Sequence, residues 1–110
     1  MILFKHPEKQ REYAELRPEL RKVVREIERV AWEKFGDEIV VTSMYRGDSS
    51  KSVHAWYRGI DIAILEHGGL EGSEWVRSYI NQKYPYGKLG CETVPPLDHG
   101  TAAHLHVQII

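Results

Sequence analysis

The stretch from Pro18 to Phe35 constrains this chain most. Leu20, Val23, Val24, Ile27, Val30, Ala31 and Phe35 recur there at three- and four-residue spacing. That spacing lines one side of a 3.6-residue helix. Arg21, Lys22, Arg25, Glu26, Glu28, Arg29 and Glu33 fall on the opposite side, as a solvated face laced with charge pairs. Such a helix is stable only when its stripe is buried against another element. Pro18 fits its first turn and Gly36 its C-cap region. Glu8 to Leu16 reads as a shorter helix before it.

Elements that would cover the stripe follow. Ile39 to Tyr45 is rich in β-branched residues and reads as a strand. Residues 46–53 form a polar loop; its Arg-Gly-Asp triplet is a common chance occurrence and receives no adhesion role. Gly59 leads into Ile60 to Leu65, a strand-like run with Asp61 inside it. Gly68, Gly69 and Gly72 mark a loop, and Ser73 would be the N-cap of a helix with Trp75, Val76, Tyr79 and Ile80 on one face. Tyr84 to Pro96 reads as irregular or as a broken hairpin, and His104 to Ile110 as a final strand. The expected fold is therefore α+β: a small, mainly antiparallel sheet with helices packed on one side.

Composition narrows the class further. At 110 residues the chain is read as one domain, residues 1–110. Fifteen Lys and Arg against sixteen Asp and Glu leave a net charge of −1, without the basic excess of a dedicated nucleic-acid binder. A hydrophobic share of 42% suffices for a packed core. Cys91 is the single cysteine, so an internal disulfide and a cysteine zinc cluster are both excluded. Its setting gives no reason to read it as a nucleophile. The opening residues lack the apolar run of ~7–15 that a secretory signal needs, and nothing approaches the ~20 of a membrane span. The expectation is a protein made in the cytoplasm and released, if at all, by lysis or with a partner's help. Its oligomeric state stays open.

Six histidines are present, five of them after residue 53. On a strand, His104 and His106 share a face, roughly 7 Å apart along the backbone. Alone they are a surface pair or part of a metal site. Asp61 is costly to bury in its apolar run unless a cation compensates it; otherwise it faces solvent on a half-exposed strand. His54 precedes Ala55-Trp56-Tyr57 and, alone, is as readily a structural histidine. Together, two imidazoles and a carboxylate are a common zinc shell in hydrolases, with a fourth position for a water whose pKa falls toward ~7. His6 and His67 lack motif partners and read as surface residues. Trp56, Tyr57, Tyr84 and Tyr86 read as core and rim packing, or as the walls of a peptide groove.

These residues carry a resemblance. Ser52-x-His54, Gly59-x-Asp61 with seven residues from His54 to Asp61, and the terminal His104-x-His106 resemble the zinc D-Ala-D-Ala peptidase superfamily. That superfamily includes D-alanyl-D-alanine carboxypeptidases, murein endopeptidases, lysostaphin-type enzymes and the hedgehog signalling domain. Tyr45-Arg46 at the end of a strand is similar to a Tyr-Arg pair upstream of its first motif. The likeness covers about residues 39–64 and 99–110. It implies a hedgehog/D-Ala-D-Ala-peptidase-like fold holding one Zn2+ on His54, Asp61 and His106. His104 would be the general base or transition-state stabiliser. Arg46 would contact a substrate carboxylate or the developing oxyanion, and Ser52 would tune a ligand by hydrogen bond.

The chain departs from the family pattern at two places. Its glycine falls two residues before Asp61, where members commonly have a small residue. Ala103 stands where the carboxypeptidase and dipeptidase branches carry an acid, three positions before the last ligand. The His-x-His of the endopeptidase branch is present instead, with Asp98 or His99 as substitutes for His104. The implied activity is hydrolysis of a peptide bond in bacterial cell-wall peptidoglycan, of endopeptidase or D,D-carboxypeptidase type, as a phage- or prophage-type lytic enzyme. Neither nucleic acid nor membrane is an expected partner. The alternatives are a zinc-stabilised binding or structural domain without turnover, and a metal-free protein with scattered surface histidines.

Overall fold

A computed structural model describes residues 2–44, 59–84, 92–94 and 104–108. The order is β1 (Ile2–Phe4), a 3-10 turn (Pro7–Lys9), α1 (Gln10–Glu15), α2 (Pro18–Phe35), β2 (Ile39–Met44), β3 (Gly59–Ala63), α3 (Gly69–Lys83), β4 (Glu92–Val94) and β5 (His104–Gln108). The strands form one sheet in the order β1-β2-β3-β5-β4. The expected α+β layout holds, with two additions. Strand β1 pairs parallel with β2, so the sheet is mixed rather than purely antiparallel; β1, at three residues, is too short to show a period. Strand β4 emerges from the stretch read as irregular or as a broken hairpin, and pairs antiparallel with β5.

The α2 stripe behaves as its spacing requires. Leu20, Val23, Val24, Ile27, Val30 and Ala31 are all buried. They share one core with Ile39, Val41 and Met44 of β2, Ile60 and Ile62 of β3, Leu105 and Val107 of β5, and Val76 and Ile80 of α3. Side chains alternate along a strand, so this core occupies one face of the sheet. Asp61, Ala63, His104 and His106 fall on the other, here called the far face. Tyr84, only 7% exposed, belongs to the core rather than to a groove. Across the charged side of the helices, Lys83 meets Glu26, and Arg29 reaches the Tyr79 hydroxyl at 3.3 Å.

Strand β2 holds one irregularity. Val41 stands opposite Ile62 and Met44 opposite Ile60, with a register shift between Val41 and Ser43. Thr42 is the extra residue of a bulge. It lets Val41 and Met44, three positions apart, both enter the core. Ser43 is thereby set opposite Asp61.

The start of α3 differs from the sequence expectation. The helix begins at Gly69, so Ser73 lies inside it and does not cap it. Ser73 is buried, and its Oγ accepts a hydrogen bond from the Leu65 amide at 2.9 Å. Charge at this helix start comes from the α2–β2 connection instead. The Asp37 carboxylate, whose side chain is 1% exposed, accepts from the His67 amide at 2.9 Å and the Gly68 amide at 2.8 Å. An anion at a helix N-terminus is favoured by the unpaired amides and the macrodipole. Gly68 and Gly72 are needed for contact: a Cβ on either would come within 3.1 Å of the Phe35 ring.

Burial pushes the Asp37 carboxyl up, but the Gly68 and His67 amides and the His67 imidazole outweigh it. The net result holds it below the ordinary carboxylate range. Its folded pKa is thus lower than its unfolded value of ~3.9. The stabilisation is therefore complete above that value and lost as pH falls through the folded pKa. Asp37→Asn is expected to cost about 1–3 kcal/mol at neutral pH and to flatten the stability curve below about pH 4. Urea melts of both proteins from pH 7 to pH 2 check this; parallel pH dependences would refute it.

Among the described residues no helix is long and apolar enough to cross a membrane.

Candidate metal centre

The three described residues of the expected site come together on the far face. Strand β3 pairs antiparallel with β5, placing Asp61 directly opposite His106 and Ala63 opposite His104. His106 Nδ1 lies 2.8 Å from Asp61 Oδ1, a hydrogen bond. His104 Nε2 lies 3.6 Å from the same oxygen, within ion-pair reach but beyond a hydrogen bond. The side chains of Asp61, His104 and His106 are 16%, 18% and 14% exposed. Partly shielded groups of this kind interact more strongly than they would in open water. Asp61 is therefore not a freely solvated surface carboxylate; two imidazoles approach one of its oxygens.

Local sequence explains this placement. Ile60 and Ile62 are fully buried on either side of Asp61, and Leu105 and Val107 are buried on either side of His106, Leu105 also following His104. Shifting either strand by one residue would turn those side chains out of the core. Core packing thus fixes the face on which the polar groups stand. Thr42, at the bulge, donates a long hydrogen bond of 3.4 Å to the Asp61 carbonyl.

The donor set suits zinc. Imidazole nitrogen and carboxylate oxygen are ordinary zinc ligands, and two ligands on one tetrahedral zinc stand roughly 3.3 Å apart. The two expected ligands that are described, Asp61 and His106, stand closer than that, at 2.8 Å in a direct hydrogen bond. Among the described residues alone, no group of three or more His, Cys, Asp or Glu is arranged to hold a metal. The expected third ligand, His54, lies outside the described residues, as do Arg46, Ser52, Asp98 and His99. Cys91, Tyr45, Trp56, Tyr57 and Tyr86 lie outside them too.

Neither a protein-family model nor a curated protein matches this chain.

The two remaining histidines differ from each other. His6 is exposed, with Glu8 Oε1 at 4.0 Å from its Nδ1. His67 is exposed but tethered: its Nδ1 lies 2.6 Å from Asp37 Oδ1. Sequence reasoning missed this pair because its members are 30 positions apart and on different elements. The available signal was a carboxylate directly after a helix-ending glycine, in front of the apolar strand Ile39–Met44.

Proposed function

We propose that this chain is a zinc-dependent peptidase acting on bacterial cell-wall peptide, of the hedgehog/D-Ala-D-Ala-peptidase-like type. One observation carries the reading: Asp61 and His106 face each other at 2.8 Å on the far face, with His104 beside the same carboxylate oxygen. His54, Asp61 and His106 would hold the metal. Bound there, zinc supplies an acidified water and a polarised carbonyl.

The chain's own residues do the rest. His104, on the same strand face as His106, takes a proton from the attacking water and delivers it to the leaving amine. Its Nε2 lies 3.6 Å from Asp61 Oδ1, on the face that carries the proposed ligands. Arg46 orients a substrate carboxylate or steadies the developing oxyanion. Ser52 fixes a ligand by hydrogen bond. Ala103 leaves no acid three positions before His106, which favours cleavage within a peptide and the use of His104.

The competing reading is a zinc-stabilised domain of the same fold without turnover. One variant separates the two. His104→Ala is expected to retain about one zinc per chain, by metal analysis of untagged protein, while peptidoglycan hydrolysis falls by about 10²-fold or more. Unchanged hydrolysis would remove His104 from the mechanism. A wild-type chain that binds zinc but releases no peptide fragments from purified walls would establish the non-enzymatic reading.

A further inference from the structure

The far face of a sheet packed on one side is ordinarily polar. One row of this face is not. Leu3 pairs with Val40, Val41 stands opposite Ile62, and Ala63 pairs with His104. Leu3, Val40, Ala63 and His104 therefore line up across four strands, with Leu3 38% exposed at the end away from His104. The apolar end opens into a cleft of about 230 Å³.

Trp32, at the end of α2, walls that cleft and is 58% exposed. Its indole makes no ring contact or hydrogen bond among the described residues. Glu38 and Glu66 are exposed on the rim, neither paired with a basic residue among the described residues, and no Lys or Arg lines the cleft. His67 completes it. Its Nδ1 lies 2.6 Å from Asp37 Oδ1. The groove thus has an apolar floor, an indole wall, and a rim that carries the Glu38 and Glu66 carboxylates.

One chemistry fits all three: a primary amine on an aliphatic stem. The methylenes pack on Leu3 and Val40, while the ammonium sits by the indole and donates charge-assisted hydrogen bonds to the carboxylates. An anionic group would be repelled. We propose that this cleft is a specificity subsite for an amine-bearing side chain of a peptide laid along the row that ends at His104. Two strand spacings, roughly 10 Å, separate Val40 from His104, about three residues of extended peptide. The proposal rests on the peptidase reading, because that reading makes His104 the end of the track.

The test is an NMR titration of the zinc-supplemented full chain with two capped tripeptides, alanine-lysine-alanine and its Nε-acetyl-lysine counterpart. The lysine peptide is expected to bind about tenfold more tightly, moving the amide signals of Ala63 and His67. The E38Q/E66Q double variant should erase the preference, and W32A should weaken lysine-peptide binding. All three positions are exposed, so folding is not at stake. Equal affinities, binding of neither peptide, or a preference that survives E38Q/E66Q would overturn the subsite. Binding is read without turnover, so the two readings fail separately. A chain with the preference but neither zinc nor hydrolysis loses the peptidase reading alone; one that takes up zinc and cleaves without preference loses the subsite alone.

Discussion

Asp61→Ala is expected to remove both zinc and hydrolysis. The carboxylate is the point on which His104 and His106 converge, at 3.6 and 2.8 Å from one oxygen. Without it the proposed centre would keep two imidazole ligands at most. Loss of a residue that merely supports a ligand typically costs 10- to 100-fold in metal affinity or activity, so loss of a ligand should cost more than ~100-fold. Zinc in the purified variant should fall below about 0.2 per chain, from about one in the wild type. Circular dichroism should show the fold retained, since Asp61 is outside the apolar core. Full zinc occupancy in Asp61→Ala would end the proposed ligand set.

Ile62→Ala is the counterpart on the other face. Ile62 adjoins Asp61 in β3, but its side chain enters the core and is 0% exposed. Truncating a buried isoleucine to alanine costs about 2–5 kcal/mol, through lost transfer energy and the cavity left behind. In a domain of this size that lowers the melting temperature on the order of 10 °C or more. The variant should nonetheless bind zinc below its transition, because the polar groups on the far face are untouched. Thermal melts with and without added zinc check both statements. A melting temperature within 2 °C of wild type, on the scale expected of a surface change, would mean that the core around Ile62 is not packed as described.

These neighbours show what the sequence made legible. The burial of α2 follows from the spacing of Leu20 to Ala31, and the shared face of His104 and His106 follows from the two-residue period of a strand. Both are local regularities. What was not legible depends on pairing between distant segments. Asp61 meets His106 because of the β3–β5 register, which two hydrophobic strands set jointly; the family resemblance joined the two residues, but no local pattern did. The α3 start was misplaced because Asp37, from before β2, binds the amides at a glycine-rich turn that Ser73 would have been expected to cap. Strand β1 is three residues long and pairs in parallel, so neither alternation nor a tight turn announces it. Of the expected site, Asp61, His104 and His106 are placed together, while His54, Arg46 and Ser52 fall outside the described residues.

The bulge in β2 gives this strand a spare position. Ile39, Val41 and Met44 are the residues it buries, and with Thr42 absent they would fall at strictly alternating positions. A chain shortened by that single residue would still seal the same hydrophobic layer. It would lose the extra twist that a bulge brings and the Thr42 hydroxyl at the Asp61 carbonyl. Length variation within this strand is therefore a way to re-aim the far face without rebuilding the core.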